Sequence, residues 1–317
     1  MIVLLNILCF GRLMTDDSAH KIDKLLSMLH WPPAKSIIAF GGHMHACWKV
    51  TDIENRRFVI KVGDRRVKKG QFVKKEQHVF NSLRTESAVE VPKVLAYAEV
   101  TPFGFPVLIL EFIPAPNGDQ WLYGKDANTT RNFYTKMGQA LRNLHDCSAP
   151  VSNELLKFQG EKEILEVIDK GMTIFEPFLK HAKREKGFLL DAFKHYPVTR
   201  SCLIHRDFRE RNLLCEKTDG GLLLTLLDFE WACLGDPFYD LAGSRIPFSE
   251  QGDALIAGYT DGRGLTVAEW RKLRFYAVLD LLDVFTRQEE LTVDISGLIF
   301  FLRKDFKKHL LALKEGS

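Results

Sequence analysis

The stretch LIHRDFRERNLL, residues 203 to 214, decides how the rest of the chain is read. Between two short apolar runs it sets a His, two acids, three Arg and an Asn, where a core segment would carry almost no charge. Downstream, NLLCE and LLLTLL read as two short strands joined by the turn signal TDGG, which makes a hairpin. A hairpin brings its outer ends together, so Asn212, before the first strand, and Asp228, after the second, fall side by side. The run CLI, just upstream, is a third short strand. His205, Asp207, Asn212 and Asp228 are therefore expected to converge at one end of a small sheet. Asp207, Asn212 and Asp228 offer oxygen ligands, a plausible donor set for a hard cation such as Mg²⁺, which prefers to share its ligands with phosphate.

The composition limits what such a site can serve. The chain has 317 residues, 46% hydrophobic and 27% charged, ordinary for a globular protein long enough to hold two domains or lobes. A net charge of +3 is too small to imply nucleic acid, and no Lys/Arg tract is interleaved with aromatics. The six cysteines, Cys9, Cys47, Cys147, Cys202, Cys215 and Cys233, form no C-x-x-C pair. A disulfide framework or structural zinc site is thus not expected, and a reducing cytoplasm fits. His43, His45 and Cys47 could be metal ligands, but alternate positions on a strand account for them more simply. The opening MIVLLNILCFGRLM is apolar but shorter than the roughly 20 residues a membrane span needs, and it lacks the basic start of a signal peptide. Translation is expected to begin at Met14, ahead of a capped helix, TDDSAHKIDKLLSML.

The chain divides by pattern into an extension with one helix (residues 1–35), a β-rich part (36–113) and a mainly helical part (114–317), an α+β organisation. In the β-rich part SIIAF, ACWKV, FVIKV, PKVLAYAEV and FPVLILEFI are strand-like. One helix interrupts them: Phe72, Val73, Val79, Phe80 and Leu83 recur at helical spacing between Lys68 and Arg84. The turn-rich APNGDQ then marks the boundary.

The spacing H-x-D-x-x-x-x-N, followed sixteen residues later by DFE, resembles the catalytic and metal loops of the protein-kinase-like superfamily. Protein kinases carry D-F-G and A-P-E there, and this chain has neither. DFEWACLGDPFYDLA, residues 228 to 242, looks instead like the aminoglycoside phosphotransferase and choline kinase-like family, whose metal Asp precedes a G-D-P-x-x-D-L-A element. The resemblance runs from about Ser36 to Ala242 and implies a bilobal protein-kinase-like fold using ATP and Mg²⁺. By it, Asp207 accepts or orients the proton of a hydroxyl acceptor, and Asn212 and Asp228 hold Mg²⁺. Asp240 would brace the catalytic loop, and His205 would hold that loop by packing and hydrogen bonding.

Lys61, on the strand FVIKV, is where the family places a lysine on the nucleotide's α/β-phosphates. On position alone a lysine near a strand end is more often a solvated edge residue. Glu76 alters that balance, because it lies four residues after Phe72 and three and four before Val79 and Phe80, on the helix's apolar face. A carboxylate there needs a buried cation, and Lys61 is the candidate; the resemblance implies the same pair. Gly41 and Gly42 could bring backbone N–H groups to phosphate or form a plain hairpin turn. By resemblance the backbone of Glu111 and Ile113 would hold the adenine edge, while the stretch also reads as a buried strand.

The chain departs from the family where Gly usually follows the His and His-Pro-Gly often precedes the Asn. It has Arg206, Arg209, Glu210 and Arg211. Arg209 stands where a cation could steady the transferring phosphoryl group; Arg206 and Arg211 are expected to face solvent or bind local carboxylates. The segments expected to form the acceptor pocket, 150–200 and 245–317, balance acid and base. A polycationic antibiotic is therefore unsupported, and choline, another amino alcohol, a sugar or an antibiotic hydroxyl all remain. A protein kinase would need an activation segment, which the short link from DFE to GDP leaves little room for. A catalytically inactive nucleotide-binding module would normally have lost one of Lys61, Asp207, Asn212 or Asp228.

Overall fold

The computed structural model describes residues 16–40, 45–63, 71–85, 88–147, 156, 160–198, 200–290 and 296–315. It divides into two compact units, Met1–Ala115 and Pro116–Ser317. Gly41, Gly42 and Met14 lie outside the described residues.

In the first unit, helix α1 (Asp16–Met28) leads into strands β1 (Ala34–Phe40), β2 (Ala46–Asp52) and β3 (Arg57–Val62). Helix α2 (Gln71–Leu83), β4 (Val94–Ala98) and β5 (Val107–Glu111) follow. The sheet has the order β1-β2-β3-β5-β4 and every described pairing is antiparallel. Ile22, Leu25 and Leu26 recur at helical spacing on α1 and pack on alternate residues of the sheet, Trp48, Val50, Phe58 and Ile60. The β2–β3 turn is fixed by Asp52, whose carboxylate accepts the Arg56 backbone N–H at 2.8 Å and Arg56 Nε at 2.7 Å. Asn55 takes the left-handed conformation there (φ 62°), one that Asn tolerates better than most residues. α2 buries Phe72, Val73, Glu76, Val79, Phe80 and Leu83, a single face that includes one carboxylate.

The second unit starts with α3 (Gly118–Leu122), α4 (Ala127–Asp146), α5 (Glu161–Phe175) and α6 (Ala182–His195). Four short strands come next: β6 (Cys202–Ile204), β7 (Leu213–Thr218), β8 (Gly221–Leu226) and β9 (Cys233–Gly235). Helices α7 (Phe238–Gly243), α8 (Gly252–Tyr259), α9 (Val267–Glu290) and α10 (Ser296–Glu315) complete it. β7 and β8 form the hairpin that TDGG signals; β6 pairs instead with β9, a three-residue strand too short to leave a periodic signal. Where α4 crosses α8 both helices carry glycine. A Cβ at Gly138 would stand 2.1 Å from the Leu255 carbonyl oxygen, and one at Gly258 would stand 2.0 Å from that of Thr135. The missing side chains let the backbones touch, which brings the ends of α4 and α8 close to α7.

His309 of α10 is buried, its ring 4.4 Å from that of Phe248. Burial pushes its pKa from 6.5 down to about 4, with Arg274, Lys308 and Arg245 acting in the same direction and Asp305 against it. The unfolded chain therefore takes up a proton near pH 6.5 that the folded chain refuses until about pH 4. Stability is full above the first value and declines as the pH falls through that window. Urea titrations at about pH 7.5 and about pH 5 are expected to show about 2 kcal/mol more loss in the wild type than in His309→Gln. Equal losses in the two proteins would remove His309 as the cause.

Candidate active site

β6 delivers the chain to His205, which is fully buried. Its ring packs 4.4 Å from Phe229, its Nε2 lies 2.7 Å from the Leu227 carbonyl oxygen, and its Nδ1 accepts the Asp207 N–H at 3.3 Å. Both ring nitrogens are thus used inside the loop, which fits a structural histidine. Asp228 is left-handed (φ 66°), and so is Arg206 (φ 64°). For a residue as large as Arg that conformation costs on the order of 1–3 kcal/mol and persists only where the surroundings enforce it. Glycine takes it freely, which gives a physical reason for the Gly the related motif carries at this position.

The enforcement comes largely from Asp240 of α7, fully buried beneath the loop. Its Oδ2 accepts the His205 N–H at 2.6 Å, its Oδ1 accepts the Arg206 N–H at 2.7 Å, and His145 Nε2 lies 3.1 Å from Oδ2. His145 Nδ1 is in turn 2.9 Å from the Tyr259 hydroxyl, so α4, α7 and α8 all meet under the loop. Burial would raise the Asp240 pKa, but hydrogen bonding and charge from His145, with the His205 contacts, outweigh it and hold the carboxyl below its usual value.

Asp207 is clamped from several sides. Arg209 Nε donates to Oδ1 at 2.8 Å, Arg211 donates to Oδ2 at 3.1 Å, and Asn212 Nδ2 donates to Oδ2 at 2.9 Å and to the Asp207 carbonyl oxygen at 2.8 Å. Burial pushes this carboxyl upward, yet the guanidinium groups of Arg209 and Arg211 leave it below the ordinary range. It is an ionised, oriented acceptor and a weak base. Asn212 spends its amide N–H groups on Asp207, so its amide oxygen is turned elsewhere. The Leu227 N–H donates to the Asn212 carbonyl oxygen at 2.9 Å, which sets Asp228 next to Asn212 across the hairpin's open end. An amide oxygen beside a carboxylate suits a hard cation. Among the described residues no three His, Cys, Asp or Glu side chains gather as a metal cage.

Glu210, between the two arginines, accepts the Tyr134 hydroxyl of α4 at 3.0 Å. Arg211 contacts the local carboxylate Asp207, and Arg206 is bound to Asp283 of α9. In the first unit Lys61 Nζ is 2.7 Å from Glu76 Oε2, with side chains 10% and 2% exposed. β3 pairs Lys61 with Cys47 and Leu108 on its neighbours, in the interior of the sheet. At the end of β5 the Glu111 N–H donates to the Lys93 carbonyl oxygen at 3.0 Å, and the Ile113 carbonyl accepts the Ala115 N–H at 2.9 Å. The Glu111 N–H and the Ile113 carbonyl are therefore already engaged.

Sequence reasoning missed His145, Tyr259, Tyr134 and Asp283. His145 alone left a trace, a histidine in the apolar register of Leu141 and Leu144. The others became neighbours only through helix crossings.

A β-rich unit with one helix and a buried Lys–Glu pair, and a mainly helical unit with a loop and hairpin holding Asp207, Asn212 and Asp228, together have the architecture of kinase-like phosphotransferases. The model of the phosphotransferase enzyme family matches residues 39–276, and the chain belongs to that family. Among solved structures it is similar to an aminoglycoside 2'-phosphotransferase-IIIa in complex with GDP (TM-score 0.69, 12% identity, 94% of this chain and 97% of that one). It is also similar to a spectinomycin phosphotransferase in complex with ADP and spectinomycin (TM-score 0.55, 14% identity, 89% and 94%). A third is the Plasmodium vivax ethanolamine kinase (TM-score 0.63, 13% identity, 89% and 84%). At these identities the likeness is one of fold. A comparison with curated proteins finds no match. No helix among the described residues is long and apolar enough to cross a membrane.

Proposed function

We propose that this phosphotransferase is a small-molecule kinase that moves the γ-phosphoryl group of ATP, with Mg²⁺, to a hydroxyl of an antibiotic, an amino alcohol such as choline, or a sugar. The observation that carries the reading is the clamped Asp207 carboxylate with Asn212 and Asp228 beside it, in a chain of this family. Asp207 would orient the acceptor hydroxyl and take its proton late, as suits a carboxylate of lowered pKa. Asn212 and Asp228 would hold Mg²⁺, which when bound supplies charge neutralisation to the phosphates. Lys61, fixed by Glu76, would position the α/β-phosphates. The Glu111 carbonyl and the Ile113 N–H would meet the adenine edge, and Gly41 and Gly42 would approach the phosphates through their backbone. Arg209, at hydrogen-bond distance from Asp207, would steady the transferring group. Most of the rate would come from positioning and electrostatics.

Two of the structural relatives were solved with GDP or ADP, so both ATP and GTP belong in the test. Five described cysteines are free, in keeping with a cytoplasmic protein. Purified protein with Mg²⁺ and ATP or GTP, screened against hydroxylated metabolites and antibiotics, should consume nucleotide only when the right acceptor is present. Tight nucleotide binding with no acceptor-dependent turnover across the panel would favour an inactive nucleotide-binding module. Phosphorylation of protein substrates alone would favour a protein kinase.

A further inference from the structure

We infer that Asp283 of α9 is a positioning residue for phosphoryl transfer, acting by holding Arg206 in its left-handed conformation and so fixing the orientation of Asp207. The inference rests on the kinase reading above for its link to rate, but its structural half stands without it.

Arg206 is held at both ends. Its backbone N–H is bound by Asp240 of α7 at 2.7 Å. Its guanidinium reaches away from the loop, lies over the Tyr239 ring with its centre 5.3 Å from the centroid, and is bound to Asp283. Asp283 Oδ2 also accepts the Tyr239 hydroxyl at 2.7 Å, and the Thr286 hydroxyl lies 3.4 Å from Oδ1. Both charged side chains are largely buried, 16% exposed for Arg206 and 5% for Asp283. A buried ion pair with several donors on one carboxylate is geometrically strict. Here it ties a residue of unfavourable φ, immediately before Asp207, to a helix 77 positions further along the chain. Glycine at position 206 would need no such tie, because it adopts positive φ without strain and has no cation to bury. Arginine does, and Asp283 supplies it.

Breaking the pair from one side alone leaves a buried guanidinium without its carboxylate, and relaxation of Arg206 toward ordinary φ would release the N–H bonds to Asp240 and turn Asp207. Removing both partners should undo the damage. Hydrogen exchange followed by mass spectrometry on the full chain reads the peptide containing residues 203 to 214 directly, while ATP consumption with the acceptor from the screen reads the rate. Asp283→Asn is expected to speed exchange of the His205 and Arg206 amides about tenfold and to lower kcat about tenfold, with KM for ATP changed less than about twofold. The double variant Arg206→Gly/Asp283→Asn is expected to return both readouts to within about threefold of wild type. Unchanged exchange in Asp283→Asn, or a double variant as mobile and as slow as the single one, would overturn the inference. If Asp283→Asn does not fold, a folded double variant with wild-type exchange supports the tie, and one equally unfolded defeats it. Should the chain consume no nucleotide with any acceptor, the kinase reading fails, and the exchange arm still decides whether Asp283 holds the loop.

Discussion

Asp207→Asn should lower turnover by about a thousandfold or more, equivalent to about 4 kcal/mol of transition-state stabilisation, and leave Mg·ATP affinity within about threefold of wild type. The substitution keeps the shape of the side chain, but it removes the charge that would draw the acceptor hydroxyl's proton and that Arg209 and Arg211 bind at 2.8 Å and 3.1 Å. The nucleotide is assigned to other groups, Lys61 and the Asn212–Asp228 pair, so its affinity should survive. Titration calorimetry with Mg·ATP beside steady-state rates on the acceptor gives both numbers. A variant that retains full activity and loses nucleotide affinity would move Asp207 out of the acceptor's path and into the nucleotide's.

The second large effect is expected at Glu76. Its carboxylate is 2.7 Å from Lys61 Nζ in a nearly closed environment, and removing one partner of such a pair strands the other charge at a cost of about 3–5 kcal/mol. Glu76→Ala should therefore lose stability and slow phosphoryl transfer about a hundredfold, while Glu76→Gln retains the shape and part of the interaction. A double-mutant cycle tests whether the two residues form a unit: with Lys61→Ala already present, Glu76→Ala should slow the rate little further. Independent, multiplying rate losses would show two separate roles, and the assignment of Lys61 to the phosphates through Glu76 would fall.

The parts of this architecture that could be read in advance are those whose signal is local. Glu76 breaks an otherwise apolar helical face, and a carboxylate in that position implies a buried cation before any contact is seen. The hairpin of β7 and β8 is written in its turn, and with it the adjacency of Asn212 and Asp228. Long-range features were silent. Nothing near Arg206 points to Asp283, because their meeting depends on how α9 lies against α7; the sequence offered only solvent or a local carboxylate as its destination. The same holds for Tyr259, which reaches His145 only because Gly138 and Gly258 let two helices approach to backbone contact. Arg209 shows an intermediate case: its place beside Asp207 was legible, its engagement with the Asp207 carboxylate was not.

The first residues after the boundary between the two units have a consequence for dissecting the protein. The Pro116 carbonyl accepts the Cys215 N–H at 2.9 Å, Asn117 forms a β-bridge with Leu214, and a Cβ at Gly118 would stand 2.5 Å from the Glu210 carbonyl oxygen. Pro116 and Asn117 thus run along the β7–β8 hairpin through one backbone bond and one β-bridge, and Gly118 opens α3 against the Glu210 backbone. A truncation made at the apparent border would put a charged, fraying amino terminus against the loop that carries Asp207 and Asn212. A fragment of the helical unit intended for isotope labelling or fragment soaking should therefore start several residues upstream, or carry a cap, so that its new end lies clear of the hairpin.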